Sequence, residues 1–107
     1  MVSKPLRVPL SGQMALKMIR AAAVDSSRVF LTHHANARMR ERRITLTQVL
    51  RCLQRGRLSE GPAPDAMKGG WKCTVEHDTA GEKIGVAVGI ESMQSGGIVV
   101  ITVFHID

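Results

Sequence analysis

The chain has 107 residues, enough for one domain with a single modest core and no need of disulfide or metal staples. Apolar residues make up 44% but aromatics only 3% (Phe30, Trp71 and Phe104, with no Tyr), so the core must be aliphatic. The net charge of +6 is unevenly placed: residues 1–57 hold twelve Lys/Arg against Asp25 and Glu41 (+10), and residues 58–107 hold three against seven acids (−4).

Residues 1–10 carry two prolines and read as an irregular lead-in; residues 11–107 read as the single domain. Met1 to Leu10 lacks the continuous apolar stretch of a signal peptide. The longest apolar run, interrupted by Thr102, is too short to span a bilayer. The expectation is a soluble, cytoplasmic protein with no membrane partner.

Ser11 suits the cap of a first helix running to about Ala23, with Ala15, Leu16, Ile19 and Ala22 on its apolar side. Asp25-Ser26-Ser27 breaks it, and Val29-Phe30-Leu31 is a short extended run. Thr32 then caps a basic helix in which Leu31, Ala35 and Met39 form the inward stripe and His34, Arg38 and Arg42, four residues apart, form the outward one. Thr45 and Gln48 make a capping box for a third helix, with Leu46, Val49, Leu50 and Leu53 at helical spacing, Arg51 and Arg55 on its outer face, and Gly56 at its end.

Beyond Gly56 the pattern changes to a period of two. Arg57 to Glu60 reads as a strand ended by Gly61-Pro62-Ala63-Pro64. Trp71, Cys73, Val75 and His77 alternate with polar residues as a half-exposed strand, and Asp78 to Gly81 is a turn. Ile84, Val86, Val88 and Ile90 alternate with Gly85, Ala87 and Gly89, whose small size predicts a face closely approached by a helix or another backbone. Gln94 to Gly97 turns again, and Ile98 to Phe104 reads as a central strand covered on both faces. The fold class is α+β: N-terminal helices packed on a C-terminal antiparallel sheet of three or four strands.

Thr32-x-His34-Ala35-x-x-Arg38-Met39-x-x-Arg42-Arg43-Ile44-Thr45, then Val49 to Gly56 and Glu60-Gly61-Pro62, resembles the bacterial family labelled domain of unknown function 4258. The alternating Val/Ile strand and the terminal Val100 to Val103 run extend the resemblance over nearly the whole chain. That family is similar, remotely, to RelE-like and BrnT-like toxins and to the barnase/EndoU-like metal-independent ribonucleases. The resemblance implies a RelE-like fold, endoribonuclease activity, RNA (in the ribosome-bound case, mRNA) as partner, and an acidic antitoxin protein as a second one. It also implies a possible partner for His34 in His105, at the end of the last strand on the face opposite Thr102 and Phe104. The family's common Gly after the second motif arginine is Arg43 here, a change of charge and not of fold.

Metal-free RNA cleavage needs a proton-transfer group and cations for the charge gathering on phosphorus, and His34 with Arg38 and Arg42 supplies both. Arg40, Arg43, Arg51 and Arg55 would guide the RNA, and Thr102 would donate a hydrogen bond to phosphate. The run from Arg38 to Arg57 contains no lysine, and arginine's planar fork suits phosphate. The same residues suit a second reading, a non-catalytic module binding nucleic acid or an acidic protein. A third is a domain that keeps the fold without activity, since few aromatics are present for base stacking. His33 and His77 read as ordinary surface residues. Cys52 and Cys73 read as reduced, partly buried thiols. No spacing of His and Cys fits a metal site, and no cofactor is expected.

Overall fold

The computed structural model of the chain describes residues 10–79, 81–91 and 96–107. Helix α1 (Gly12–Val24) starts at Ser11, whose Oγ accepts from the Met14 amide at 3.1 Å. A 3-10 turn over Ser26–Arg28 leads into strand β1 (Val29–Leu31). Helix α2 (His33–Arg42) is capped by Thr32, and α3 (Leu46–Arg55) by a complete Thr45–Gln48 capping box. Four strands complete the chain: β2 (Arg57–Pro64), β3 (Trp71–Thr79), β4 (Glu82–Ile90) and β5 (Ile98–His105). No helix among the described residues is long and apolar enough to cross a membrane.

The strands form one mixed sheet in the order β1-β5-β4-β3-β2. This corrects the expectation of three or four antiparallel strands. Val29-Phe30-Leu31 pairs in parallel with Ile98-Val99-Val100 and so adds a fifth strand. The pairing joins residues about seventy positions apart, which no local periodicity could show. Strand β2 also continues through Gly61–Pro64 instead of ending there. It pairs only with β3, through two register shifts, and prolines are tolerated on such an edge because one side of the backbone owes no hydrogen bonds. The Gly61–Pro62 bond is cis. The turn expected at Asp78 to Gly81 begins only after β3 ends at Thr79, and its Ala80 lies outside the described residues. So do residues 1–9 of the lead-in, and Gln94 and Ser95 of the last turn.

The helices and one face of the sheet enclose a single aliphatic core. Ala15, Ile19, Val49, Leu53, Val75, Ile84, Val86, Val88, Val100 and Val103 are all fully buried in it. Period-two alternation sends the intervening residues to the other face, which carries no helix among the described residues. Two expectations fail there. Gly85, Ala87 and Gly89 are not approached by a helix: a Cβ on Gly85 would sit 2.5 Å from the Phe104 ring, so an aromatic side chain of β5 lies over that glycine. Likewise β5, although central, is covered on one face only, and Val99, Ile101, Thr102 and Phe104 keep partial exposure. A bulge opposite Ala87 and Val88 places Ile101 and Thr102 side by side on the open face.

Candidate nucleic-acid interface

Helix α2 is fixed to β5 at both ends. At its start, the Thr32 hydroxyl accepts from the Ala35 amide at 2.9 Å and donates to the Ile101 carbonyl at 3.1 Å, while the Thr32 amide donates to Val100 at 3.2 Å. One residue thus caps the helix and pins it to the bulge. At the other end, the Arg42 guanidinium donates to the Val103 carbonyl at 2.7 Å, and the His105 Nε2 donates to the Arg42 carbonyl at 2.8 Å. The two contacts make a reciprocal clasp between the end of α2 and the end of the last strand.

Arg42 and His105 each thus bond the backbone of the other element. The clasp also separates His105 from His34. The eight residues from His34 to Arg42 rise about 12 Å along the axis, so the structure does not bring the two histidines together. His34 is exposed in the first turn of α2, four residues before Arg38, and neither histidine of that turn has a hydrogen-bond partner among the described residues. Arg38 is half-exposed and ion-paired with Glu41, the one acid of the helix. Ala35 is buried and Met39 packs against the core, as the inward stripe required.

The rest of the arginine run faces solvent. Arg40, Arg43, Arg51 and Arg55 are exposed, and none has an ion pair or hydrogen bond from its side chain among the described residues. Arg43 ends α2 in the left-handed conformation (φ 55°, ψ 43°). Its amide donates to Arg40, and the Ile44 amide donates to Met39 at 2.9 Å, the double bond of a Schellman cap. Glycine adopts this conformation freely, and Arg43 adopts it at some strain. Thr102 pairs with Ala87 and lies on the face of the sheet turned away from the core, whereas His34 and Arg38 are on α2.

The thiols are buried. Burial pushes Cys52 up to about 12, with the nearby Glu76 carboxylate adding to the effect, and pushes Cys73 up to about 11. Both thiols therefore stay protonated at neutral pH. No group of three or more His, Cys, Asp or Glu fit to hold a metal occurs among the described residues.

A second polar cluster has no signature in the sequence. Arg55, Arg57, Glu76, His77, Asp78 and Lys83 line a cavity of about 240 Å³ where α3 ends and β2 begins. Alternation puts His77 at the end of β3, but nothing local to that strand sets it beside arginines some twenty residues earlier.

The family model for a domain of unknown function, DUF4258, matches residues 31–105, which is 75 of the 107 residues. The chain belongs to the DUF4258 family. No curated protein and no solved structure is detectably similar to it. The DUF4258 match takes in β1's last residue, both basic helices and the remaining sheet, and leaves α1 outside.

Proposed function

We propose that this DUF4258 protein binds RNA across the arginine-bearing outer surfaces of α2 and α3. One observation carries the reading: Arg40, Arg43, Arg51 and Arg55 are exposed and unpaired, on two consecutive helices whose only acid is Glu41. Four unpaired guanidiniums on one short stretch repel one another, and a polyanion relieves that repulsion by replacing counterions. A single-stranded oligoribonucleotide should bind with an affinity that falls steeply with salt. Replacing the four arginines with alanine should flatten that dependence, the log–log slope falling by about 0.7 for each phosphate that is no longer neutralised. Salt-independent binding, or none, would sink the RNA reading. Binding of an acidic polypeptide instead, in the manner of an antitoxin, would assign the same surface to a protein partner.

Cleavage is a second reading, favoured by His34: an exposed imidazole without a protein partner, four residues from Arg38. In that reading the fold is RelE-like, the protein is a metal-independent endoribonuclease and the toxin of a toxin–antitoxin pair, and His34 moves the proton while Arg38 stabilises the phosphorane charge. The protein should then cut RNA in the presence of a chelator, and His34→Ala should abolish the cut with the fold intact. Unchanged cleavage in that variant removes His34 from the chemistry.

A further inference from the structure

The basic half of the chain and the sheet meet at a place that has only Arg55 in common with the helix surface. Residues Arg55 and Arg57 leave the end of α3 on either side of Gly56, and β3 and β4 bring Glu76, His77, Asp78 and Lys83 to the same cavity. We infer that this cavity binds a phosphate group, held by Arg55, Arg57, Lys83 and His77.

Three observations support it. First, the arginines are held in place by their backbone. Gly56 is buried, its amide donates to Cys52 at 2.7 Å, and its carbonyl accepts from Arg20 at 3.1 Å. A Cβ there would lie 2.5 Å from the carbonyl oxygens of both Cys52 and Glu76, so no side chain fits and the chain turns through a fixed path. The Cα positions of the two arginines are thereby set, while their guanidiniums stay exposed. Second, the donors exceed the acceptors. Glu76 lies 3.7 Å from Arg57 and 3.8 Å from Lys83, too far for a close hydrogen-bonded pair, and serves both cations at once. Arg55 and His77 have no side-chain partner among the described residues. Three cations against two carboxylates leave a positive balance of one; Asp78, like Arg55 and His77, has no side-chain partner among the described residues, and an oxyanion would add acceptors for Arg55 and His77. Third, the volume suits a small group: it is below the roughly 300–1,000 Å³ of pockets that enclose whole drug-sized ligands.

The phosphate has three sources: free in solution, terminal on a nucleic-acid strand, or internal to one. The inference shares only Arg55 with the proposed RNA surface, and its first arm uses no RNA, so the two stand or fall separately. Inorganic phosphate titrated into the intact protein should give saturable NMR shifts at His77, Gly56 and Lys83. Losing one charge-assisted hydrogen bond should weaken that binding about tenfold or more in Arg55→Ala and in His77→Ala. Lys68→Ala, on the distant β2–β3 connection, should bind as the parent does. Tighter binding of a 5′-phosphorylated oligoribonucleotide than of its 5′-hydroxyl counterpart would identify the terminal group, and equal binding of both, abolished in Arg55→Ala, the internal one. No saturable shift, or shifts that persist unchanged in both variants, would overturn the inference. Should Arg55→Ala unfold, His77→Ala decides alone, since the His77 side chain makes no hydrogen bond or ion pair among the described residues.

Discussion

Arg43 shows how one residue can be read for both strain and use. It occupies the left-handed position of a Schellman cap, which costs a residue with a Cβ about 1 kcal/mol relative to glycine. Arg43→Gly should therefore raise the stability measured by urea unfolding by roughly 0.5–1 kcal/mol and weaken RNA binding, since the side chain is exposed and unpaired. An Arg43→Gly variant both stabler and equal in RNA affinity would take Arg43 out of the interface. Gly56 is the opposite case. Its φ is an ordinary −74°, so only space forbids a side chain, and Gly56→Ala should destabilise by about 2 kcal/mol or more as two carbonyls are pushed apart. The thiols set an alkaline limit. Cys52 and Cys73 have folded-state values of about 12 and about 11, above the ordinary 9.0, so the folded state keeps protons that the unfolded chain gives up. Their contribution is fully present below about pH 9 and is lost as pH rises toward 11 to 12. Denaturant titrations at pH 8 and pH 10.5 should show the loss, and a double Cys→Ala variant should lose less over that interval.

At the scale of elements, α2 is the piece on which the site depends, and its attachment is made by side chains that flank the arginines. Thr32 makes five hydrogen bonds to α2 and β5 and Arg42 clasps the far end, so the helix presents its basic side with little freedom to roll. Thr32→Val keeps the shape but removes the cap and the donor to Ile101, and should cost about 1–2 kcal/mol in thermal or urea unfolding. What is legible in the sequence follows the range of the forces involved. Helix ends are fixed by contacts three or four residues apart, so Ser11, Thr32 and the Thr45–Gln48 box can be read directly. Strand partners are fixed by contacts across the whole chain. The parallel pairing of β1 with β5, the run of β2 through its prolines, and the cluster around His77 all arise there and leave no local pattern. The small residues of β4 do mark a close neighbour, but the neighbour over Gly85 is the Phe104 ring and not a helix. Helix α1 lies outside the DUF4258 match yet buries Ala15, Ile19, Ala22 and Ala23, and Gln54 and Arg20 tie it to the end of α3. The family match alone thus leaves out part of the core that supports the arginine surface.

Across the whole molecule, the charge division seen in the sequence becomes a division in space. Among the described residues the helices carry Lys17, Arg20, Arg38, Arg40, Arg42, Arg51 and Arg55, and strands β2 to β4 carry Glu60, Glu76, Asp78 and Glu82. Pairing between the two is sparse: the ion pairs that cross from the basic half to the acidic one amount to Arg57 with Glu76 among the described residues. Within α3, Arg51 and Arg55 stand four residues apart, a spacing at which like charges cost about 0.2–0.5 kcal/mol, and Arg40 and Arg43 lie close in sequence at the end of α2. The folded protein accordingly holds an electrostatic cost that a bound polyanion, or simple salt, removes. This gives opposite signs for two measurements on one sample. Raising monovalent salt from low values to physiological strength shortens the Debye length to about 8 Å, so the melting temperature of the free protein should rise while its affinity for RNA falls. In the variant with alanine at Arg40, Arg43, Arg51 and Arg55, both trends should shrink together, because one set of unpaired guanidiniums causes both. A variant that loses the salt dependence of binding but keeps that of stability would place the repulsion elsewhere, and the arginine surface would then be a site without the strain argued for it.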